Sequence, residues 1–311
     1  MMTGSVSMPH LAGTQLKYLA LSNNKFSGTI SKAIADLSNL EYLYLDGNDF
    51  SGGLPGSTGE LTQLKSINLD SNSFVGKLPK SLANLQKLEF LSMQDNNLSG
   101  EIPVEMSGMS KLETMNIAMN SLGGSLPDLS NFSKLRNLHL YENSLIGTIP
   151  DSVAGLKNIE VLFLSSNQLT GAIPSAIGTL DRTLRGLYLS DNKLDGNITQ
   201  ALCELDELES LFLDENKFYG ELPDCLNSMS SLRQFYVFQN ELSGEVPSNL
   251  QDLKLLSGLG LEGNAFVGEI SQGICALTAD PLVDLWADCG GSSPTLSCSC
   301  CSACCPGAHC A

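Results

Sequence analysis

Eleven asparagines recur through the chain at one interval and fix the position of every other residue relative to them. The interval is 24 residues, apart from one step of 23 and one of 25. Each asparagine lies in the pattern L-x-x-L-x-L-x-x-N-x-L-x-G-x-I-P. Repeats with a period of this order indicate a solenoid, in which each repeat forms one coil that packs only on its neighbours. The asparagines are Asn24, Asn48, Asn72, Asn96, Asn120, Asn143, Asn167, Asn192, Asn216, Asn240 and Asn264.

Within one repeat, apolar residues alternate in the way that a half-buried strand requires. Leu64, Ile67 and Leu69 fall on one face of a short strand, so the residues between them point the other way. Strands of successive repeats then pair side by side at roughly 4.8 Å and form a parallel sheet. The asparagine that follows each strand can both donate and accept, so it can satisfy backbone groups of neighbouring turns.

Glycine and proline hold fixed places in the second half of the repeat. A glycine shortly after each asparagine indicates a backbone with positive φ or a close approach between coils. Proline follows in eight of the repeats, and the leucine-rich stretch after it predicts a short helix or 3₁₀ turn on the outer side. The repeated residues are therefore structural. The glycines are Gly28, Gly52, Gly76, Gly100, Gly124, Gly147, Gly171, Gly196, Gly220, Gly244 and Gly268.

The segment N-x-[LF]-[ST]-G-x-[IL]-P resembles the plant-type subclass of leucine-rich repeats. This subclass occurs in ectodomains of receptor-like proteins and kinases and in cell-wall inhibitor proteins, and the resemblance covers about Leu16 to Leu277. It implies an α/β fold, a right-handed solenoid with a parallel concave sheet and short helical or 3₁₀ turns on the convex side. It also implies a second short strand at L-x-G-x-I-P and a superhelical twist.

The repeat pattern divides the chain into three parts. Residues 1–15 read as a truncated repeat, residues 16–280 as eleven repeats, and residues 281–311 as a C-terminal cap with a Cys-rich tail. Because no cap precedes Leu16, we expect a fragment or an incomplete gene model, with any signal or anchor upstream. The alternative is that the first half-repeat serves as a poor cap. At the other end, an amphipathic stretch is predicted to lay Leu282, Leu285 and Trp286 over the core of the last repeat.

All ten cysteines lie between Cys203 and the C-terminus. Disulfides are favoured because the number is even and such density suits an oxidising compartment. Zinc binding through the Cys301–Cys304 spacing and lipidation are the alternatives left open. Cys203 and Cys225 occupy nearly corresponding positions in adjacent repeats, so they are predicted to bridge neighbouring coils. The other candidates are Cys275, Cys289, Cys298, Cys300, Cys301, Cys304, Cys305 and Cys310, and their ending, L-x-A-D-C then C-x-C-C-x-x-C-C, resembles leucine-rich repeat proteins of diatom-type microalgae.

The net charge of −17 argues against a nucleic-acid partner, because a phosphate backbone would be repelled. The sequence has no signal peptide and no apolar run long enough for a membrane-spanning helix. Three sequons, at Asn97, Asn131 and Asn197, are glycosylation candidates that agree with a secretory route. We therefore expect an extracellular or cell-surface location, with membrane attachment only through an anchor outside this chain.

The sequence predicts no catalytic residue, no metal site and no cofactor. Its three histidines do not fall in a metal-ligand spacing, and no Gly-rich phosphate loop, G-x-S-x-G elbow or kinase motif is present. The adjacent carboxylates Asp214 and Glu215 are interpreted as solvated strand ends. We therefore do not expect an enzyme.

Aromatic residues concentrate at the strand positions that point to the concave surface. Ten of nineteen aromatic residues fall there, and a continuous exposed stripe of this kind is typical of binding surfaces. Cross-strand stacking that only stabilises the sheet is the alternative left open. The predicted ligand-binding residues are Tyr44, His139, Tyr141, Phe163, Tyr188, Phe212, Asp214, Tyr236 and Phe238.

These features predict a non-enzymatic recognition module that binds a protein or peptide through its concave face, as a receptor-like ectodomain does. Carboxylates beside the aromatic stripe suit a basic or amphipathic peptide, and a cell-wall carbohydrate stacked on the rings is a further candidate. A secreted inhibitor of a hydrolase is the second functional class. A structural, adhesive or ice-binding solenoid is the third, although its flat array of Thr or Ser is missing from the concave face.

Overall fold

The computed structural model describes residues 2–5, 13–277, 284–290 and 295–304. Two compact units divide the chain, an N-terminal unit of Met1–Ile159 and a C-terminal unit of Glu160–Ala311. Each unit is a stack of coils, and each coil contributes one strand to a main sheet and one to a second sheet. The predicted α/β fold class, with parallel strands and short 3₁₀ turns, is confirmed.

The N-terminal unit contains thirteen strands within its described residues, and the even-numbered ones form the main sheet. They are β1 Thr3–Ser5, β2 Tyr18–Ala20, β3 Lys25–Thr29, β4 Tyr42–Tyr44, β5 Asp49–Gly52, β6 Ser66–Asn68, β7 Ser73–Gly76, β8 Phe90–Ser92, β9 Asn97–Glu101, β10 Thr114–Asn116, β11 Ser121–Gly123, β12 Asn137–His139 and β13 Ile146–Gly147. Each main strand pairs in parallel with the main strand of the next coil.

The C-terminal unit repeats this alternation over its own described residues. Its strands are β14 Val161–Phe163, β15 Gln168–Gly171, β16 Gly186–Tyr188, β17 Lys193–Gly196, β18 Ser210–Phe212, β19 Lys217–Gly220, β20 Gln234–Tyr236, β21 Glu241–Glu245, β22 Gly258–Gly260, β23 Ala265–Glu269, β24 Asp284–Ala287, β25 Leu296–Ser297 and β26 Ala303–Cys304. The even-numbered strands again pair in parallel, from β14 to β26.

Short helices close the coils on the side away from the main sheet. The 3₁₀ helix Lys80–Asn84 begins after Pro79, which has φ -72°. This value fits the preference of the proline ring, and the helix buries Leu82. Among the described residues, no helix is long and apolar enough to cross a membrane. The 3₁₀ helices are Lys32–Asp36, Gly56–Glu60, Lys80–Asn84, Val104–Gly108, Asp151–Gly155, Ser175–Leu180, Gln200–Glu204, Asp224–Ser228 and Ser248–Asp252, and the α-helix α1 is Gln272–Leu277.

The repeated asparagines form the hydrogen-bonded ladder that the sequence predicts. The Asn72 side-chain nitrogen donates to the carbonyl of Leu45 in the preceding coil at 3.0 Å and to the carbonyls of Leu69 and Asp70 in its own coil. Its side-chain oxygen accepts from the backbone N–H of Phe50 at 3.0 Å. One side chain therefore satisfies backbone groups of two coils, which buried polar groups require.

Each ladder asparagine follows a residue with positive φ, which the sequence did not reveal. Ser71 has φ 49° and Glu215 has φ 53°, and a glycine takes this place at Gly47. The eleven repeated glycines also have positive φ, in agreement with the sequence prediction. At Gly100, an added Cβ would lie 2.8 Å from Cγ of Lys77 in the preceding coil. Close approach and backbone conformation therefore both require glycine there.

The C-terminal cap differs from the predicted amphipathic cover. Asp284–Ala287 is strand β24, which extends the main sheet and pairs with β22. Leu285 is fully buried, as expected, but Trp286 alternates to the outward side and does not cover the core. Leu282 lies outside the described residues. The cap thus continues the sheet for two more strands, β24 and β26.

Eight cysteines in the described part of the chain form four disulfides. Cys203 is bonded to Cys225, which joins neighbouring coils, and the other bonds are Cys275–Cys300, Cys289–Cys304 and Cys298–Cys301. Cys305 and Cys310 lie outside the described residues. Zinc would need thiolates, and Cys301 and Cys304 are each part of a different disulfide. The arrangement therefore does not support the zinc interpretation of the tail.

Candidate functional site

Each main strand places one buried apolar residue between two side chains that point away from the interior. In β18, Leu211 is fully buried, whereas Ser210 and Phe212 on either side are half-buried. This alternation follows from the two-residue period of a strand. We call the surface formed by these outward side chains, together with the residue two positions after each strand, the open face.

In the C-terminal unit, four predicted ligand-binding residues come together on the open face. Phe163, Tyr188, Phe212 and Tyr236 hold the same register position on β14, β16, β18 and β20. The centroids of successive rings are 4.7, 5.0 and 4.8 Å apart. These separations are within the contact range of aromatic pairs. We call these four rings the aromatic row. Phe238 extends it, with its centroid 6.3 Å from that of Tyr236.

The rings of the aromatic row are half-buried, so they are less exposed than the sequence predicts. Each ring covers part of its neighbour, and two tyrosines also lie against the backbone where glycine replaces a side chain. An added Cβ on Gly186 would collide with the ring of Tyr188, and one on Gly258 would collide with the hydroxyl of Tyr236. The row therefore stabilises the sheet through its own contacts and leaves part of each ring accessible to a ligand.

Asp214 was interpreted as a solvated strand end, but the structure buries it. Its side chain is 6% exposed and accepts a hydrogen bond of 2.7 Å from the Ser190 hydroxyl. Burial raises the pKa of Asp214 to about 6, and the hydrogen bond from Ser190 opposes that shift. Asp214 lies on the open face among side chains of neighbouring coils and is buried, whereas Glu215, at positive φ, is exposed to solvent.

A second buried carboxylate lies on the same face beyond Tyr236. Glu262 is 5% exposed, and burial raises its pKa, helped by the negative charges of Asp288 and Asp214. Burial also raises the pKa of Tyr236, with the charges of Asp284, Asp214 and Glu262 acting in the same direction. The C-terminal end of the aromatic row is therefore strongly acidic.

In the N-terminal unit, His139 and Tyr141 lie together on the open face. Their ring centroids are 6.4 Å apart, and burial lowers the pKa of His139. The Gln94 side-chain nitrogen donates to the Tyr141 hydroxyl at 3.1 Å, and its oxygen accepts from Asn116 at 2.7 Å. This part of the open face is a connected polar network that also contains an aromatic ring.

Tyr44, the remaining predicted residue, lines a cleft of about 330 Å³ on the open face of the N-terminal unit. Phe90 forms the wall diagonally opposite, and Ser66 and Asn68 of β6 lie between the two rings. We call this the Tyr44–Phe90 cleft. Sequence reasoning did not single it out, although small outward residues flanked by aromatic ones in both neighbouring strands are visible in the sequence.

Larger cavities of 410, 390 and 540 Å³ lie on the opposite side of the coils. Their linings are equivalent repeat positions in different coils, between the second strand and the following 3₁₀ helix, such as Gly100–Glu105 and Gly220–Asp224. A groove that recurs with the repeat is a consequence of the coil geometry. We therefore do not assign a site to these cavities.

Three family models match the chain. The leucine-rich repeat region model matches residues 3–126, the LRR domain of the EGF-like domain-containing protein ComC matches residues 80–178, and the Leucine Rich Repeat model matches residues 183–205. The chain is a leucine-rich repeat protein. No curated protein sequence matches it.

Solved structures place this leucine-rich repeat protein in the plant-type subclass. A TDR receptor structure is 33% identical over 83% of this chain and 45% of that chain, with a TM-score of 0.79. The ectodomain of the Arabidopsis receptor kinase HAESA, in complex with an N-terminally extended IDA peptide hormone, is 30% identical over 88% of this chain and 54% of that chain, with a TM-score of 0.66. This leucine-rich repeat protein therefore spans about half the length of these receptor structures.

A plant ice-binding protein is also similar in structure. It is 25% identical over 91% of this chain and 84% of that chain, with a TM-score of 0.60. Proteins with different functions thus share this fold, so the fold alone does not determine the function and the side chains of the open face must be considered.

Proposed function

We propose that this leucine-rich repeat protein is a non-enzymatic recognition module that captures a protein or peptide ligand on the open face of its C-terminal unit. The observation that carries the proposal is the aromatic row, four half-buried rings in contact and in register. Aromatic side chains dominate binding energy at protein interfaces because they offer large area at a low entropic cost. Rings already held by their neighbours lose little further freedom on binding.

The charge of the open face favours a basic or amphipathic peptide. The C-terminal unit has twenty Asp and Glu residues against six Lys and Arg. None of the outward residues on β14 to β24 is basic, whereas Asp214, Glu262, Asp284 and Asp288 all lie on this face. A basic ligand would be attracted to this surface by its negative charge. Its positive charges would offset the repulsion between carboxylates that lie close to one another.

The comparisons support the same function at the level of the family. Structures similar to this chain include receptor ectodomains, and HAESA is seen with a peptide hormone. The four disulfides support an extracellular location, because disulfides persist in oxidising compartments. We therefore assign the chain to the ligand-binding part of a receptor-like protein.

The proposal is tested with a phage-displayed library of random peptides selected on the full chain. Affinities of the selected peptides are then measured by biolayer interferometry for the wild type and for the triple variant Phe163→Ala, Tyr188→Ala and Phe212→Ala. We expect the triple variant to lose at least about 100-fold in affinity, since central aromatic residues of an interface each contribute about 2 kcal/mol or more.

The matched control is Tyr219→Ala, which removes an aromatic ring from β19 of the second sheet. Tyr219 is 50% exposed and lies in the same unit. Its loss should therefore leave affinity within about twofold. Circular dichroism checks that the triple variant keeps its fold, as we expect because the buried leucines are unchanged. Selected peptides that bind the folded triple variant as tightly as the wild type would refute the proposal.

Two other functions are separated by related measurements. A hydrolase inhibitor would reduce the activity of secreted glycanases or proteases on co-incubation, and inhibition that survives in the triple variant would favour that function. An ice-binding solenoid needs a regular flat array of Thr or Ser, whereas the serines of the open face are interrupted by glycine, aromatic and acidic residues. Inhibition of ice recrystallisation would contradict this assessment.

A further inference from the structure

The Tyr44–Phe90 cleft lies in the N-terminal unit, apart from the site of the proposed function. It is lined by six residues of the open face: Ser22, Tyr44, Asp46, Ser66, Asn68 and Phe90. Its volume is about 330 Å³. This volume falls at the lower end of the range for small-molecule sites.

The cleft exists because Ser66 and Asn68 lie between two strands that carry aromatic side chains. In register, Ser66 lies between Tyr42 and Phe90, and Asn68 lies between Tyr44 and Ser92. The strands that carry Tyr44 and Phe90 are two strand spacings apart, or roughly 9–10 Å. The floor between the two rings is therefore polar and low, and both rings line the cleft.

The floor and one side of the cleft offer hydrogen-bonding groups of both kinds. Asp46 Oδ1 accepts from the Ser22 hydroxyl at 2.6 Å, and Asn68 Oδ1 accepts from the backbone N–H of Asp70 at 3.0 Å. Within the described residues, Asn68 Nδ2 and the hydroxyls of Tyr44 and Ser66 have no hydrogen-bond partner. An amide donor, two hydroxyl groups and the second carboxylate oxygen of Asp46 are thus available to a ligand.

We propose that the Tyr44–Phe90 cleft binds a neutral pyranose ring of an oligosaccharide. A pyranose has an apolar C–H face that packs on aromatic rings and an edge of hydroxyl groups, each of which both donates and accepts. The Asn68 amide and the Asp46 carboxylate can together bind adjacent hydroxyl groups of such a ring. Asp46 and the nearby Asp70 repel anionic sugars, so uronic acids are poor ligands.

This proposal does not depend on the proposed function. The cleft and the aromatic row belong to different units, and the two ligands differ in class. Peptide binding could fail while sugar binding holds, or the reverse, and the variants used in the two tests share no residue.

The test is isothermal titration calorimetry of the full chain with four disaccharides. The probes are cellobiose, laminaribiose and maltose, which are neutral, and digalacturonic acid, which is anionic. We expect saturable binding of at least one neutral disaccharide and at least tenfold weaker binding of digalacturonic acid. For the neutral disaccharide that binds, Tyr44→Ala, Phe90→Ala and Asn68→Ala should each weaken affinity at least tenfold.

The matched control is Tyr18→Ala, which removes a tyrosine from the open face of the same unit but outside the cleft. Tyr18 is 60% exposed and stacks on Tyr42. Its loss should leave sugar affinity within about twofold. If a ring variant fails to fold, the sugar affinity of Asn68→Ala tests the proposal by itself, because this change removes a polar group from the floor and no ring.

Four results would overturn the proposal, and the last of them comes from a competition experiment. The first is no heat of binding from any neutral disaccharide up to about 20 mM, a concentration well above a millimolar dissociation constant. The second is binding that the folded cleft variants leave unchanged, and the third is a preference for digalacturonic acid. Displacement of a bound disaccharide by the library-selected peptides, in a chain whose aromatic row is mutated, would assign the cleft to peptide binding and also overturn it.

Discussion

Replacing Asp214 with asparagine should make the protein more stable at neutral pH. Burial raises the pKa of Asp214 from 3.8 to about 6 in the folded protein, so the folded state binds this proton more tightly than the unfolded state. The resulting stability is fully present below pH 3.8 and is lost as the pH rises through about 6. Asparagine has nearly the same shape, carries no charge and still accepts from Ser190.

The size of the effect follows from the pKa difference. A shift of about 2 pKa units corresponds to about 3 kcal/mol at pH 7.5, since one unit is about 1.4 kcal/mol. The same relation gives an advantage for Asp214→Asn of about 2 kcal/mol at pH 5 and less than about 1 kcal/mol at pH 4. Local relaxation around the buried carboxylate offsets part of this free energy in the wild type.

The assay is urea unfolding of both proteins at pH 4, 5, 6 and 7.5, followed by far-UV circular dichroism. Comparing wild type with variant at each pH cancels groups that titrate independently of Asp214, such as Asp70, whose pKa burial also raises. Glu262 loses a neighbouring negative charge in the variant, and this loss adds to the stabilisation. The control is Glu215→Gln, which removes an equal charge from an exposed side chain. This control should change stability by less than about 0.5 kcal/mol. A stability difference for Asp214→Asn that does not grow between pH 4 and pH 7.5 would refute the account.

Three further changes test the scaffold and the site. The Asn216 side chain bonds backbone groups of two coils. Asn216→Ala should therefore cost about 3 kcal/mol or more in urea unfolding, and a cost below about 1 kcal/mol would contradict the ladder. Gly186→Ala should displace the ring of Tyr188 and weaken peptide binding while the fold persists, with unchanged affinity as the contrary result. The Cys203–Cys225 disulfide has a sequence separation of 22. Removing it should lower the free energy of unfolding by about 3 kcal/mol. Because the variant lacks this bond, a reductant should cause no further loss of stability through it.

Much of the scaffold could be predicted from the sequence, because the repeat constrains each residue through its immediate neighbours. Leu211 must face inward and Phe212 outward once the asparagine period sets the strand register. The ladder at Asn72 and the positive φ at Gly100 follow from the same repetition. The resemblance to plant-type repeats added the second strand of each coil, which the spacing alone would not have given.

The packing of side chains between coils could not be predicted in the same way. Whether Tyr188 stands free or lies over Gly186 depends on rotamers and on the adjacent strands, and this decides how much of the ring is exposed. Asp214 became buried for the same reason, since its environment is formed by neighbouring coils. The amphipathic pattern predicts Trp286 over the core, whereas the pairing of β24 with β22 turns its side chain outward.

Disulfide connectivity also depends on the folded cap. Adjacent cysteines allow many pairings, and only the positions of β24 and β26 bring Cys289 next to Cys304. The Tyr44–Phe90 cleft, by contrast, had a signal in the sequence, namely the small outward residues Ser66 and Asn68 between aromatic strands.

Oxidative footprinting with mass spectrometry tests the central claim most directly, by locating a library-selected peptide on the full chain. The account predicts that the bound peptide reduces side-chain oxidation at Tyr188, Phe212 and Tyr236 and leaves Tyr219 on the second sheet unchanged. Protection at Tyr219, with no protection along the aromatic row, would show that the ligand binds elsewhere and would contradict the account.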